Sequence, residues 1–564
     1  MSRRPCLPAL LCVLLTSPLA ACGQATIAPR SATPVDDHIR GLQTAAIHEG
    51  RSPAAHWGTD PAIYTHWGSH SNRLVPVYTF GTKGAGAGVD LDGYSGANSP
   101  YRREGEVRRM YGYLPENTVD PAADYCDQTN IADIQRRALE SGKKHIVLIV
   151  FDGMDWQTTW AAAIHKTGRI PYREGRGTGL HFQDYDAAGT SQFGWMVASP
   201  LDANTVVDEN TQTIRRRNRG TVGGYDASRG GSTPWAAESA DPYLIEKGGG
   251  VVHTIPDSAP TATALAAGVK TFNGAIGVDA VGNKLVTVAH RAQQAGRSVG
   301  LVSSVPVSHA TPAAMYAHNV SRDDFQDISR DLLGRPSIAH PENPLPGVDV
   351  LIGGGWGCDK SSDRPQGENF LPGNRYLADA DLRAVDVRNG GAYLIATREK
   401  GVRGADRLKS VAERAARDGT RLLGLYGVGR YNGHLPYRTA DGDYQPAPGR
   451  NGTAERYDPA DVAENPTLAE MTDAALVVLS RNPNGFWLMV EAGDVDWANH
   501  DNNLDNAIGA VESGDEAVRA VTAWVEKHSN WSESLLIVTA DHGHLLVLDQ
   551  PERLVPEGER PKRR

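Results

Sequence analysis

The chain has 564 residues, 40% hydrophobic and 22% charged, with 57 Lys+Arg against 67 Asp+Glu and a net charge of −10. That apolar content can bury a core that offsets chain entropy, which excludes disorder throughout, and 61 Gly plus 34 Pro stay below the roughly 25–30% typical of low-complexity chains. The acidic balance argues against general nucleic-acid binding but not against anionic small molecules, because a local cationic or metal site overrides net charge.

In chain order, residues 1–22 read MSRRPCLPALLCVLLTSPLAAC, with Arg3 and Arg4 ahead of the apolar run Leu7 to Leu15. That run is shorter than the ~20 residues of a spanning helix, so residues 1–21 are expected to be a secretory signal. Leu19-Ala20-Ala21-Cys22 resembles a bacterial lipobox. It implies that Cys22 carries lipid and anchors an exported protein to the cell envelope, facing the periplasm or the exterior; a plain signal peptide with a chance cysteine is the alternative. Residues 22–50 are small and polar and read as a tether. Cys6 and Cys12 fall in the signal, which leaves Cys126 and Cys358 as residues that could pair in an oxidising compartment.

Seven short apolar runs then read as buried strands: Leu74–Phe80, His145–Phe151, Ser298–Ser303, Val348–Ile352, Arg421–Tyr426, Phe486–Val490 and Leu535–Thr539. Helical patterns lie between many of them, at Thr261–Lys270, Leu468–Leu479 and Asp505–Lys527. This alternation predicts an α/β fold around a largely parallel sheet. One domain is expected over residues 51–550, followed by a polar tail at 551–564. Residues 155–250 and 355–450, rich in Gly, Pro, Arg and Tyr, read as loop-rich insertions, either a binding rim or a surface elaboration.

Chemistry gathers at the ends of the apolar runs, where open α/β sheets bind ligands. HIVLIVFDGM ends in Asp152; FWLMVEAGDVDWANH supplies Glu491, Asp496 and His500; LLIVTADHGH supplies Asp541, His542 and His544. Carboxylate and imidazole donors suit Zn²⁺ and Mg²⁺. In HTIPDSAPTATALAAGVKT, Pro260 marks a helix start, so Ser258 faces free N–H groups that can cradle phosphate. Ser258 is either a nucleophile activated by metal or only the helix cap. In SSVPVSHATPAAMYAHNVSR, His309 and Thr311 follow a strand and Arg322 closes the segment as a bidentate phosphoryl grip.

Together DGM, DSAPTATALAAGVKT, HATPAAMYAHNVSR, VEAGDVDWANH and TADHGH resemble, in order and spacing, the motifs of the alkaline phosphatase family over most of residues 140–550. The resemblance implies a three-layer sandwich and hydrolysis of small-molecule phosphate monoesters through a phosphoserine at a site of two Zn²⁺ and one Mg²⁺. Ser258 looks like the serine that becomes phosphorylated. Asp541 and His542, with Asp152, look like ligands of the zinc that activates it. Asp496 and His500 look like ligands of the other zinc. Asp152, Thr311 and Glu491 look like the magnesium ligands, with Asp152 bridging, and Arg322 looks like the phosphate clamp. Asp257, His309, Trp497 and His544 are placed around these ligands, and His309 leaves zinc or another transition metal open at the third position. The family is often dimeric, so a homodimer is among the expected assemblies.

The family's last zinc histidine, with a strand and a helix behind it, normally follows TADH, whereas here about twenty residues follow His544. HWGSHSNRLVPVYTFG and YCDQTNIADIQRRALESGKK offer that histidine, strand and helix at residues 51–140. The expectation is a circular permutation, with the old ends joined through Glu140–Lys144 and His70 as the last zinc ligand; His66 is the second choice. Competing readings are a phosphodiesterase of the same superfamily and a non-catalytic phosphate-binding lipoprotein. A sulfatase is disfavoured, because Ala262 stands where that site would want arginine.

Overall fold

The computed structural model describes residues 37–66, 68–216, 221–235, 241–245 and 252–556. The expected signal, Cys22 and most of the tether lie outside these residues. A ten-stranded sheet organises the chain. In chain order its strands are β1 (Val75–Phe80), β2 (Cys126–Asp127), β3 (His145–Phe151), β4 (Gln192–Val197), β5 (Ser298–Pro306), β6 (Val350–Gly354), β7 (Tyr393–Thr397), β8 (Arg421–Leu425), β9 (Phe486–Ala492) and β10 (Ser534–Ala540). Across the sheet they run β7-β8-β6-β5-β9-β3-β10-β1-β4-β2. The seven from β7 to β10 are parallel; β1 pairs antiparallel with both β10 and β4, and β2 runs parallel to β4. Only β1 therefore runs against the rest.

The principal helices are α1 (His38–Glu49), α2 (Gln128–Glu140), α3 (Trp156–Thr167), α4 (Ser258–Ala267), α5 (Ala310–Ala314), α6 (Phe325–Leu333), α7 (Gly404–Asp418), α8 (Leu468–Leu479), α9 (Asp494–His500) and α10 (Leu504–His528). Successive strand residues point to opposite faces. Phe486 meets Trp524 of α10 with ring centroids 5.1 Å apart, while Trp487 donates from Nε1 to Gln135 Oε1 of α2 at 2.9 Å. α10 and α2 thus cover opposite faces, which makes three layers. The central strands are apolar throughout because both faces are covered: HIVLIVF in β3 is buried from Ile146 onward. Gly514 lets α10 approach closely, since a Cβ there would sit 2.1 Å from Phe151 Cε1.

All seven predicted strands form, with ends shifted by no more than three residues. Residues 355–450 are less loop-rich than expected, because they contain β7 and α7 beside the predicted β8. β8 lies between β7 and β6, so this stretch extends the sheet itself. Residues 155–250 likewise contribute α3 and β4. The tether is corrected over residues 38–49, which form α1. Its polar Gln43 is buried and fully bonded: Nε2 donates to Asn502 O (2.9 Å) and Pro448 O (3.0 Å), and Oε1 accepts from Tyr64 (2.7 Å) and the Leu504 N–H (3.0 Å). The expected tail starts with packed residues, Leu554 and Val555 being buried. Cys126 and Cys358 are buried free thiols and do not pair.

Candidate active site

Register places the chemistry. Ala492 and Ala540 both align with Phe151, so the residues after β9, β3 and β10 emerge side by side, and the Asp152 N–H bonds Ala492 O at 3.2 Å. The reversed β1 begins at this same edge, Val77 lying opposite Thr539. Just ahead of β1, the Ser71 N–H bonds Gly543 O at 2.8 Å, which brings His70 to the TADHGH turn. Gly153 holds φ +71°, and a Cβ there would meet His544 Nε2 at 2.7 Å, so the Asp-Gly turn needs glycine.

Ser258 is the first residue of α4. Asp257 is the cap, accepting from the Ala259 N–H at 2.8 Å, so Ser258 is left to face the site. Its Oγ lies 3.2 Å from His542 Nε2 and 3.3 Å from Asp152 Oδ1. The other oxygen of Asp152, Oδ2, accepts from Thr311 Oγ1 at 3.4 Å. Asp152 therefore stands between Ser258 with His542 on one side and Thr311 on the other. Asp541 accepts from the Gly153 N–H (3.0 Å) and Thr261 Oγ1 (3.1 Å), and Glu491 accepts from Ser303.

A second group lies beside the first. Asp496 and His500 share one face of α9, with Oδ1 and Nε2 3.5 Å apart. His70 Nε2 is 2.9 Å from His500 Nε2 and 3.5 Å from Asp496 Oδ1; His544 Nε2 is 2.7 Å from that oxygen. His500 Nδ1 donates to the Gly68 carbonyl, which leaves its Nε2 as a lone pair facing the group. The donor atoms of His70, Asp496, His500 and His544 lie within 4.8 Å of one another, as do those of Asp152, Asp496 and His542. His66, the second choice, is solvent-exposed beside Thr65 and joins neither group.

Burial, then repulsion from Asp541, Asp496 and Glu491, raises Asp152 well above the usual carboxylate range; burial also raises Asp541 and pushes Glu491 up to about 8. Burial opposes ionisation of Asp496 too, but His500, His544 and His70 outweigh it and hold it low. Burial depresses His542 and takes His500 down to about 3. Imidazoles crowded against buried carboxylates are the donor types that a divalent metal takes. Glu491 Oε1, a buried carboxylate oxygen without a partner, fits the same conclusion.

These groups open into a cavity of about 340 Å³ lined by His70, Ser258, His309, Arg322, Arg450, Asp496, Trp497, His500 and Asp501. Arg322 is held 3.4 Å from Asp257 Oδ1. His309 packs edge-on to Trp497, with centroids 5.6 Å apart. A larger cavity of about 470 Å³, lined by Arg103, Arg109, Arg136 and Arg291 among others, contains neither the serine nor the donor groups. Arg450 was not singled out from the sequence. Its Nε donates to the His500 carbonyl at 2.9 Å. An isolated arginine in NGT-flanked, aperiodic sequence carries no local signal of such a place.

The alkaline phosphatase family model matches residues 241–553. The chain belongs to the alkaline phosphatase family. It is 31% identical to alkaline phosphatase 4 of Bacillus subtilis over 51% of this chain and 50% of that protein. It is 33% identical to alkaline phosphatase H of Pseudomonas aeruginosa over 56% of this chain and 63% of that protein. The chain thus spans about half to two thirds of the length of the curated relatives it matches. The cold-active alkaline phosphatase structure of a psychrophilic Shewanella aligns at a TM-score of 0.42 and 22% identity, over 71% of this chain and 68% of that one.

Proposed function

We propose that the chain hydrolyses phosphate monoesters through a phosphoserine formed on Ser258. The observation that carries this reading is the Ser258 hydroxyl at a helix N-terminus, 3.2 Å from His542 and 3.3 Å from Asp152, at a cavity that Arg322 also lines.

Asp152, Asp541 and His542 would hold one zinc ion, Asp496, His500 and His70 a second, and Asp152, Thr311 and Glu491 a magnesium ion. When bound, these ions supply positive charge that lowers the pKa of the serine hydroxyl and of water and offsets the charge of the phosphoryl group. Ser258 gives up its proton and its Oγ attacks phosphorus in line with the leaving oxygen, which departs as the alcohol after taking a proton. Arg322 grips two non-bridging oxygens, and the free N–H groups of α4 face the phosphoryl group. Water then attacks the phosphoserine, inorganic phosphate leaves and the serine hydroxyl is restored. His544, bonded to Asp496, orients that ligand. Arg450, on the rim, favours esters whose leaving group carries a further negative charge.

The same reading makes the chain a circular permutation of the usual family order, exported and lipid-anchored through Cys22. Support for the permutation comes from His70 beside His500, from β1 lying against β10, and from the loop Ser141–Lys144 joining α2 to β3. The test is turnover of p-nitrophenyl phosphate at alkaline pH, beside the bis-ester and the sulfate, with and without chelator. Chelator-sensitive monoester cleavage is expected. Preference for the bis-ester would move the reading to a diesterase, and no turnover of any ester by metal-loaded protein would sink it.

A further inference from the structure

Away from the serine cavity, three more metal-capable side chains converge. His318 follows α5, Asp331 lies in α6 and His340 lies in the loop beyond α6. His318 Nδ1 is 2.9 Å from His340 Nε2, which is 3.9 Å from Asp331 Oδ2; all three donor atoms lie within 4.8 Å of one another. Asp331 is fully buried, His318 is 5% exposed, and the His340 side chain keeps 13% of its surface open to solvent.

The surrounding bonds aim these donors inward. His318 Nε2 meets the Leu285 carbonyl at 2.7 Å. A carbonyl only accepts, so the ring proton is on Nε2 and Nδ1 faces His340 as a lone pair. A histidine that gives its other N–H to a backbone carbonyl has the arrangement common to metal-ligating imidazoles. Asp331 Oδ1 accepts from Ser337 Oγ at 2.6 Å and Oδ2 accepts from the His318 N–H at 2.9 Å. Ser337 Oγ in turn accepts from the His340 N–H at 3.0 Å, which ties the loop to the same carboxylate. The nearby Lys284 ammonium bonds the Ala339 carbonyl instead of the carboxylate. Burial pushes Asp331 up to about 7, and pushes His318 down to about 3 and His340 down to about 4. Two neutral imidazoles thus face a buried carboxylate without a full cationic partner.

We propose that His318, Asp331 and His340 form a second, distal site for a divalent cation, best matched to Zn²⁺, with a fourth position open to water beside His340. Tetrahedral zinc with Zn–N near 2.0–2.1 Å sets its donors about 3.3 Å apart. The separations of 2.9 and 3.9 Å bracket that value, so shifts of under 1 Å suffice. His318 lies four residues before Arg322, so the ion braces the chain segment that runs from Thr311 to Arg322. This site does not depend on the reaction proposed for Ser258.

The test is to strip the full chain with chelator and titrate it with zinc against a chromophoric competitor, for the wild type, His340→Ala and His340→Gln. The wild type is expected to bind one equivalent more than either variant. Its zinc-dependent gain in Tm should exceed theirs, while all three melt alike in chelator. His340→Gln keeps the bulk of the side chain and is the deciding variant if His340→Ala folds poorly. Equal zinc stoichiometry in the wild type and the folded variants overturns the site. An extra equivalent that Mg²⁺ or Mn²⁺ fills but Zn²⁺ does not overturns the zinc assignment.

Discussion

The two candidate donor groups are built differently. Asp152, Asp541 and His542 stand directly on the ends of β3 and β10, adjacent parallel strands in register, and all three are fully buried. His70, Asp496, His500 and His544 come from a loop before β1, a seven-residue helix and a turn, and His70 and His500 are part-exposed. The inner group inherits the rigidity of the sheet. The outer group depends on segments distant in sequence being held together, and those ties run through α1 and residues 56–71. Gln43 bonds Asn502 and Leu504, Trp57 donates to Asn499 Oδ1 at 3.0 Å, and Gly68 accepts from His500.

The sharpest way to break the comparison is at the inner group. Ser258→Ala is expected to cut monoester turnover by about 10³-fold or more with an unchanged melting curve, as loss of a covalent nucleophile does. Near-normal turnover would remove Ser258 from the proposed role. Chelator should silence the wild type, with recovery on adding zinc and magnesium; recovery by magnesium alone would contradict the zinc assignments. His70→Ala should lower kcat by about 10–100-fold and reduce bound zinc, because one ligand of a mostly intact site is lost. Unchanged zinc content would sever the N-terminal segment from the proposed metal site.

Smaller effects separate rim from scaffold. Arg450→Gln should lower kcat/KM about tenfold for esters with an anionic leaving group while sparing p-nitrophenyl phosphate. An equal loss for both substrates would mean that Arg450 only braces the His500 carbonyl. Gln43→Ala leaves buried partners unsatisfied and should cost about 1–3 kcal/mol in denaturant unfolding. No change would show that α1 does not support the outer group. At the far end of β3, burial pushes His145 down to about 4 from its usual 6.5. The unfolded chain therefore binds a proton there before the folded one does, so stability should fall as pH drops from about 6.5 to 4. His145→Phe should flatten that slope.

Much of the inner group was legible from residues alone. Apolar runs ending in Asp152, Glu491 and Asp541 marked the strands and their carboxyl ends, because burial on both faces demands unbroken apolar sequence and ligands sit where such strands stop. Asp496 and His500 were legible as a carboxylate and an imidazole just past the Phe486–Val490 run, but the helix face they share came from the structure. The strands missed, β4, β7 and the two-residue β2, are short or carry Gly and Thr among their apolar residues. Residues 38–49 looked like a tether because composition counts Gln43 as polar, yet it is buried by partners hundreds of positions away.

Sequence by itself determined which residues are able to do chemistry and which strand ends present them, since both follow from periodicity and side-chain type over a few neighbouring positions. Tertiary structure decided that β1 runs against the sheet, that His70 and not His66 reaches His500, that residues 355–450 extend the sheet, and that Arg450 faces the cavity. Those outcomes rest on hydrogen bonds between segments far apart in the chain, such as Ser71 to Gly543 and Arg450 to His500, and no local pattern encodes the partner of a backbone group.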